Sequence, residues 1–214
     1  MGVVVVLLLS VFMLFLFFRL YKRRQFEHRT ALIESYRFPD KLILELKKRY
    51  PHLSDGDCSL VVKGLREYFH ISLAAKRRGI AMPSQVVDVA WHEFILFTRH
   101  YELFCKQAFG RFLHHTPAEA MSSPVQAQDG IKRAWRLACN REDINADKPN
   151  RLPLLFALDA KLAIKDGFVY KLDCKGLKDN GYCASHIGCG GGCTGGCSSD
   201  SDSSSGCSSG CGGD

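Results

Sequence analysis

The sequence predicts a mainly α-helical protein with three parts: an N-terminal transmembrane helix, a helical bundle-like domain with a short β-hairpin, and a disordered Gly/Ser/Cys-rich tail. Three observations predict it. Val3 to Phe18 are sixteen consecutive uncharged residues, fifteen of them apolar. Between Pro39 and Asn140, apolar residues recur at intervals of three and four, the period of an α-helix with one buried face. Residues 187–214 contain ten Gly, eight Ser, five Cys and three Asp, too little apolar surface to offset the entropy of ordering the chain. The predicted divisions are a transmembrane anchor with its basic flank (1–24), a juxtamembrane helix (25–39), a helical domain (40–178) and the low-complexity tail (179–214).

Carried through Tyr21, the apolar run is roughly 28 Å long at about 1.5 Å per residue, against a bilayer core of about 30 Å. Arg19, Lys22, Arg23 and Arg24 follow it, and no cation precedes it. No small-residue cleavage pattern follows either, so a retained anchor is preferred to a removable signal peptide. The cations on its C-terminal flank predict a single-pass protein with the N-terminus outside and the C-terminal domain in the cytoplasm. The net charge of +7 is uneven: residues 1–49 carry ten Lys or Arg against four acids, and nothing after Lys178 is basic. This excess beside the membrane suits anionic headgroups, so the lipid bilayer is the expected partner. No basic patch interleaved with aromatics is present, and nucleic acid is not expected.

The juxtamembrane helix is expected to run to about Pro39. Pro39-Asp40 opens the next helix, which stops at Pro51. Ser54-Asp55-Gly56-Asp57 supplies an N-cap. From Cys58, an amphipathic helix reaches about Lys76 and ends at Gly79. Pro83-Ser84 starts a denser one from Val86 to Phe97, which Tyr101 to Leu113 continues or follows. Ile131 to Asn140 forms another, 141–153 is loop, and Leu154 to Ile164 is a final helix. Phe168, Tyr170 and Leu172 alternate after Asp166-Gly167, the pattern of a turn with a short strand or hairpin.

Cytoplasmic placement implies free thiols among the ten cysteines. Cys58, Cys105 and Cys139 lie in apolar helical contexts and read as small core residues. The tail cysteines Cys189, Cys193, Cys197, Cys207 and Cys211 are spaced mainly as C-x3-C, unlike the tighter pairs of zinc knuckles. Thiolates on such a tail can still gather zinc or another soft ion such as Cu(I), with Cys174, Cys183 and His186 just upstream.

Chemistry concentrates in residues 83–115, PSQVVDVAWHEFILFTRHYELFCKQAFGRFLHH. With 86–101 on one helix, Asp88, His92 and Arg99 share a stripe within about 40° and Glu93 and His100 share another, with apolar residues between them. The stripes predict a buried helix and a structural polar cluster of Asp88, His92 and Arg99, in which Asp88 orients the His92 ring one turn away. The same carboxylate–imidazole arrangement serves metal-binding histidines, so Asp88, His92, His114 and His115 are also metal candidates. Leu96 occupies the place of the second histidine of H-E-x-x-H, so the zinc-protease motif is absent. No catalytic or cofactor-binding residue is assigned, and zinc or another soft metal is the one cofactor candidate.

The run V-V-D-V-A-W-H-E-F-I-L with Y-x3-C-x3-F-G-R-F-L-H-H-T-P resembles the helical motif of the glycine-rich domain-containing proteins, in the form found in shorter bacterial members. The matching positions are Asp88, Trp91, His92, Tyr101, Cys105, Phe109, Gly110, His114 and Pro117. The likeness extends loosely over 40–175. It implies the helical fold and no established enzymatic activity, and Phe94 replaces the plant form's second histidine. The sequence therefore predicts a non-enzymatic membrane-anchored scaffold or interaction protein, with an unidentified protein partner. The alternative is a metal-binding protein or metal-dependent enzyme using the Asp88/His92/His115 region.

Overall fold

The computed structural model describes residues 2–115, 124–172, 182–183 and 187. Seven helices occur among them: α1 (Gly2–Ser35), α2 (Asp40–Arg49), α3 (Asp55–Ala75), α4 (Gln85–Leu96), α5 (Thr98–Phe109), α6 (Pro124–Arg141) and α7 (Leu154–Lys161). Two-residue strands β1 (Tyr170–Lys171) and β2 (Tyr182–Cys183) complete the described structure. The predicted all-helical class holds.

α3 is the central helix, packed against α1, α2, α4, α6 and α7. A capping box starts it: Ser54 accepts from the Asp57 amide, and Asp57 accepts from the Ser54 amide. Gly64 lets α4 and α7 approach its backbone, because a Cβ there would collide with Leu158 and Val87. Phe69 reaches into an aromatic cluster with Phe38, Phe94 and Phe104, and Tyr36 packs on Phe94 and Phe104. A second group stacks Trp135, Phe156 and Tyr170 edge to face. Cys58, Cys105 and Cys139 are fully buried. Burial raises all three thiols, Cys139 to about 11, which leaves them protonated and inert.

α1 is one unbroken helix with two environments. Its apolar segment from Val3 is long and apolar enough to cross a membrane, and none of that stretch is buried against the domain. Its last turns belong to the domain core instead. Ile33 is fully buried, and Leu32, Tyr36 and Phe38 pack beside it. Arg66 of α3 donates from Nε to the Ile33 carbonyl (3.1 Å) and from Nη2 to the Tyr36 carbonyl (2.8 Å). A helix end leaves carbonyls without intrahelical partners, and Arg66 takes up one of them together with the chain just beyond. Its guanidinium also lies over the Phe38 ring, 5.5 Å from the centroid. His70 Nε2 sits 2.9 Å from Glu34 Oε2, with Arg141 of α6 3.7 Å from the same carboxylate.

Asp159 of α7 is the other organising residue. Its carboxylate is 2% exposed and accepts four bonds: from Ser84 Oγ (2.6 Å) and the amides of Gln85 (2.6 Å), Val86 (3.2 Å) and Phe168 (2.8 Å). Two of those amides are orphan donors in the first turn of α4, where the helix dipole also favours a negative charge.

α3 ends at Ala75, where the apolar period predicts an end near Lys76; Lys76 takes a positive φ of 60° and Arg111 Nη2 holds its carbonyl at 2.7 Å. Two expectations are corrected. The helix expected from Val86 to Phe97 is α4, and α5 follows it as a separate helix; the placement of 86–101 on one helix, on which the polar stripes rest, does not hold, because Phe97 with ψ of 56° turns the chain. The hairpin is a parallel pair instead, Tyr170 opposite Tyr182 and Lys171 opposite Cys183. The Asp166-Gly167 turn does not open a hairpin; it delivers the Phe168 amide to Asp159, and Tyr170 is placed by its contact with Phe156 (4.9 Å).

Asp159→Asn replaces a four-bond carboxylate acceptor with a neutral amide whose N–H2 faces donors. A loss of about 3 kcal/mol in denaturant unfolding is expected. A pH dependence is expected from His70. Burial holds its imidazole below the ordinary histidine range, outweighing the pull of Glu34 and Glu67. The unfolded chain takes up this proton near pH 6.5, and the folded domain only at lower pH. The stabilisation is therefore complete above that value and lost as pH falls from it toward the folded pKa. The Tm should drop between pH 7.5 and 5.5, and drop less in His70→Asn.

Candidate functional site

The residues that carry chemistry in 83–115 meet at the corner between α4 and the segment that follows α5. Ser84 caps α4 by accepting from the Val87 amide (3.4 Å) and starts the helix whose first turn carries Asp88. Gly110 ends α5 in the left-handed conformation (φ 69°), which lets residues 111–115 double back toward α4. His115 Nε2 then lies 2.9 Å from Asp88 Oδ1, with His115 mostly buried and Asp88 half-buried.

Trp91 backs this pair. Its ring meets the His115 ring edge to face at 4.6 Å, and Tyr68 of α3 also packs against it at 4.9 Å. Trp91 Nε1 donates to Tyr101 Oη at 3.1 Å, and Tyr101 Oη donates to the Leu113 carbonyl. Tyr68 and Tyr101 are both pushed well above the ordinary tyrosine range, mainly by burial. Both stay neutral, and Tyr101 stays a donor. Two sets of hydrogen bonds, Asp88 with His115 and Trp91 through Tyr101 to Leu113, joined by the Trp91–His115 ring contact, thus fasten residues 113–115 onto α4.

The predicted cluster of Asp88, His92 and Arg99 does not form. His92 and Arg99 are exposed. Phe97 puts Arg99 on α5, so the stripe drawn along one helix through 101 has no counterpart. The Asp88 carboxylate is taken by His115, twenty-seven residues away. Of the metal candidates, Asp88 and His115 are brought together, and His92 packs edge-on to His115 with ring centroids 5.5 Å apart. His114 is exposed beside Phe112. Among the described residues, no group of three or more His, Cys, Asp or Glu is arranged to hold a metal. Cys189, Cys193, Cys197, Cys207 and Cys211 lie outside the described residues.

Asp159, Arg66 and the His70–Glu34 contact were not singled out in the sequence. Asp159 did leave a signal, as the lone acid in the apolar run Leu154–Ile164.

A family model describing UCP032817-like proteins matches residues 28–190. The chain belongs to that family of uncharacterised proteins. No curated protein and no solved structure matches the chain. The UCP032817-like match starts at His28, after the apolar part of α1, and takes in the turns that seat on α3. Its span contains the Asp88–His115 corner, the Asp159 cap and both strands.

Tyr101→Phe leaves the Trp91 N–H and the Leu113 carbonyl without their shared partner, and should cost about 2 kcal/mol by denaturant unfolding. His115→Ala should cost about 1 kcal/mol, whereas His92→Ala should stay within about 0.5 kcal/mol of wild type because its side chain is exposed. If added zinc raised the Tm of wild type but not of His92→Ala, the structural account of this corner would fail.

Proposed function

We propose that this UCP032817-like protein is a single-pass membrane protein that holds a non-enzymatic helical scaffold or interaction domain at the cytoplasmic face. The observation that supports it is the double nature of α1. Its apolar stretch is unpartnered by the domain, and the same helix runs on without a break into the core at Ile33. An apolar surface of that size on a water-soluble chain would be exposed at great cost; a bilayer removes it from water. The cations Arg19, Lys22, Arg23 and Arg24 support a cytoplasmic domain. The likeness to glycine-rich domain-containing proteins is part of this proposal and rests on Asp88, Trp91, Tyr101, Cys105 and their neighbours.

The scaffold reading is favoured by how the motif residues are used. Asp88, Trp91, Tyr101 and His115 contact one another and close the chain on itself. A reporter fused after Asp214 should be active only in its cytosolic form. Activity of a periplasmic or lumenal reporter at the same junction would overturn the orientation, and release of the chain by alkaline carbonate would overturn the anchor.

A further inference from the structure

α1 leaves its apolar segment at Phe18, and over its next three turns an open groove of about 820 Å³ lies between it, the end of α3 and the end of α5. Six cations line the groove, Lys22, Arg23, Arg29, Lys76, Arg77 and Arg111, and no acid does. Arg23 is paired with Glu27 at 2.9 Å; among the described residues the other five have no carboxylate partner.

The fold builds this concentration of charge in. α3 ends at Ala75, so Lys76 and Arg77 turn into the groove instead of continuing the helix. Arg111 braces that turn through the Lys76 carbonyl. The guanidinium of Arg29 lies against Gly110, where a Cβ would collide with it. Phe18, Phe26 and Phe109 supply an apolar wall beside the cations. Like charges gathered this closely repel one another unless a counter-ion joins them, and guanidinium and ammonium groups together suit phosphate.

We infer that the groove between α1, α3 and α5 binds the phosphate-bearing headgroup of an anionic phospholipid from the leaflet in which α1 ends. This rests on the membrane reading above and adds a defined site to it. The height of the groove selects a lipid over a soluble phosphate: it begins at the last residue of the apolar run. Arginines and lysines there meet the headgroup layer, and the phenylalanines meet the upper acyl chain. General attraction of a basic flank to an anionic surface would spread over Arg19 to Arg24; this site instead adds Lys76, Arg77 and Arg111, which are distant in sequence.

The test uses the full chain purified in a non-ionic detergent, with lipid retention read by native mass spectrometry and Tm read in parallel. Wild type should retain one phosphatidylglycerol in preference to phosphatidylcholine, with a Tm several degrees higher. Inorganic phosphate at the same concentration should leave the Tm unchanged. The variant K22Q/K76Q/R77Q, altered only at exposed side chains, should melt like wild type without lipid and lose phosphatidylglycerol affinity at least tenfold. The control K41Q/K132Q/K161Q removes the same charge elsewhere and should lose less than twofold. Equal retention of both lipids, an equal loss in the control, or a phosphate effect matching the lipid's would overturn the inference. If wild type failed to stay with membranes after carbonate extraction, the anchor reading would fall first; a membrane-retained chain without lipid preference removes the groove proposal alone.

Discussion

The seating of the last turns of α1 on α3 is the constraint on which the rest of this molecule depends. A helix joined to its domain by a flexible linker would let the domain sample many orientations. Here the helix is itself part of the core. Ile33 is buried, Arg66 takes the carbonyls where the helix ends, and Glu34 meets His70 and Arg141. Unseating the helix would expose Ile33 and leave the buried His70 ring without its carboxylate partner. In the proposed reading, the domain therefore has one orientation at the membrane surface, and the same seating creates the basic groove.

The remaining polar residues of the interior serve a second purpose, which is to return irregular chain to the helical core. Asp159 gathers the start of α4 and the segment after α7 at one carboxylate. Asp88 with His115, and Tyr101 with Leu113, do the same for the segment after α5. The start of α4 and the segments after α5 and α7 are thus each tied by hydrogen bonds to a side chain of another part of the fold. A buried polar group left unpaired costs more than a paired one contributes, so such ties select one arrangement of the helices.

The fold was legible where local physics decides it. Pro39, Ser54, Ser84 and Pro153 mark helix starts through capping and fixed φ, and the apolar period identified the buried faces of α2 and α3. What failed needed long-range contacts. The break at Phe97 has no proline or glycine to announce it, and both halves are helical by composition, so Arg99 was assigned to the wrong helix. The partner of Asp88 was taken to be His92, one turn away, because helical spacing ranks neighbours by sequence. The real partner, His115, arrives only because Gly110 reverses the chain. The parallel pairing of β1 with β2 was equally invisible, since Asp166-Gly167 is the same turn whether it feeds a hairpin or a carboxylate.

Hydrogen exchange of the full chain in detergent micelles tests the seating of α1 most directly, because amide protection reports whether a helix opens alone or with the domain. If α1 is part of the core, the amides of Ala31 to Ser35 should exchange as slowly as those in the middle of α3, and should be released together with them by denaturant. If those amides exchange within seconds while α3 remains protected, the helix is a flexible tether, and the fixed orientation of the domain is contradicted.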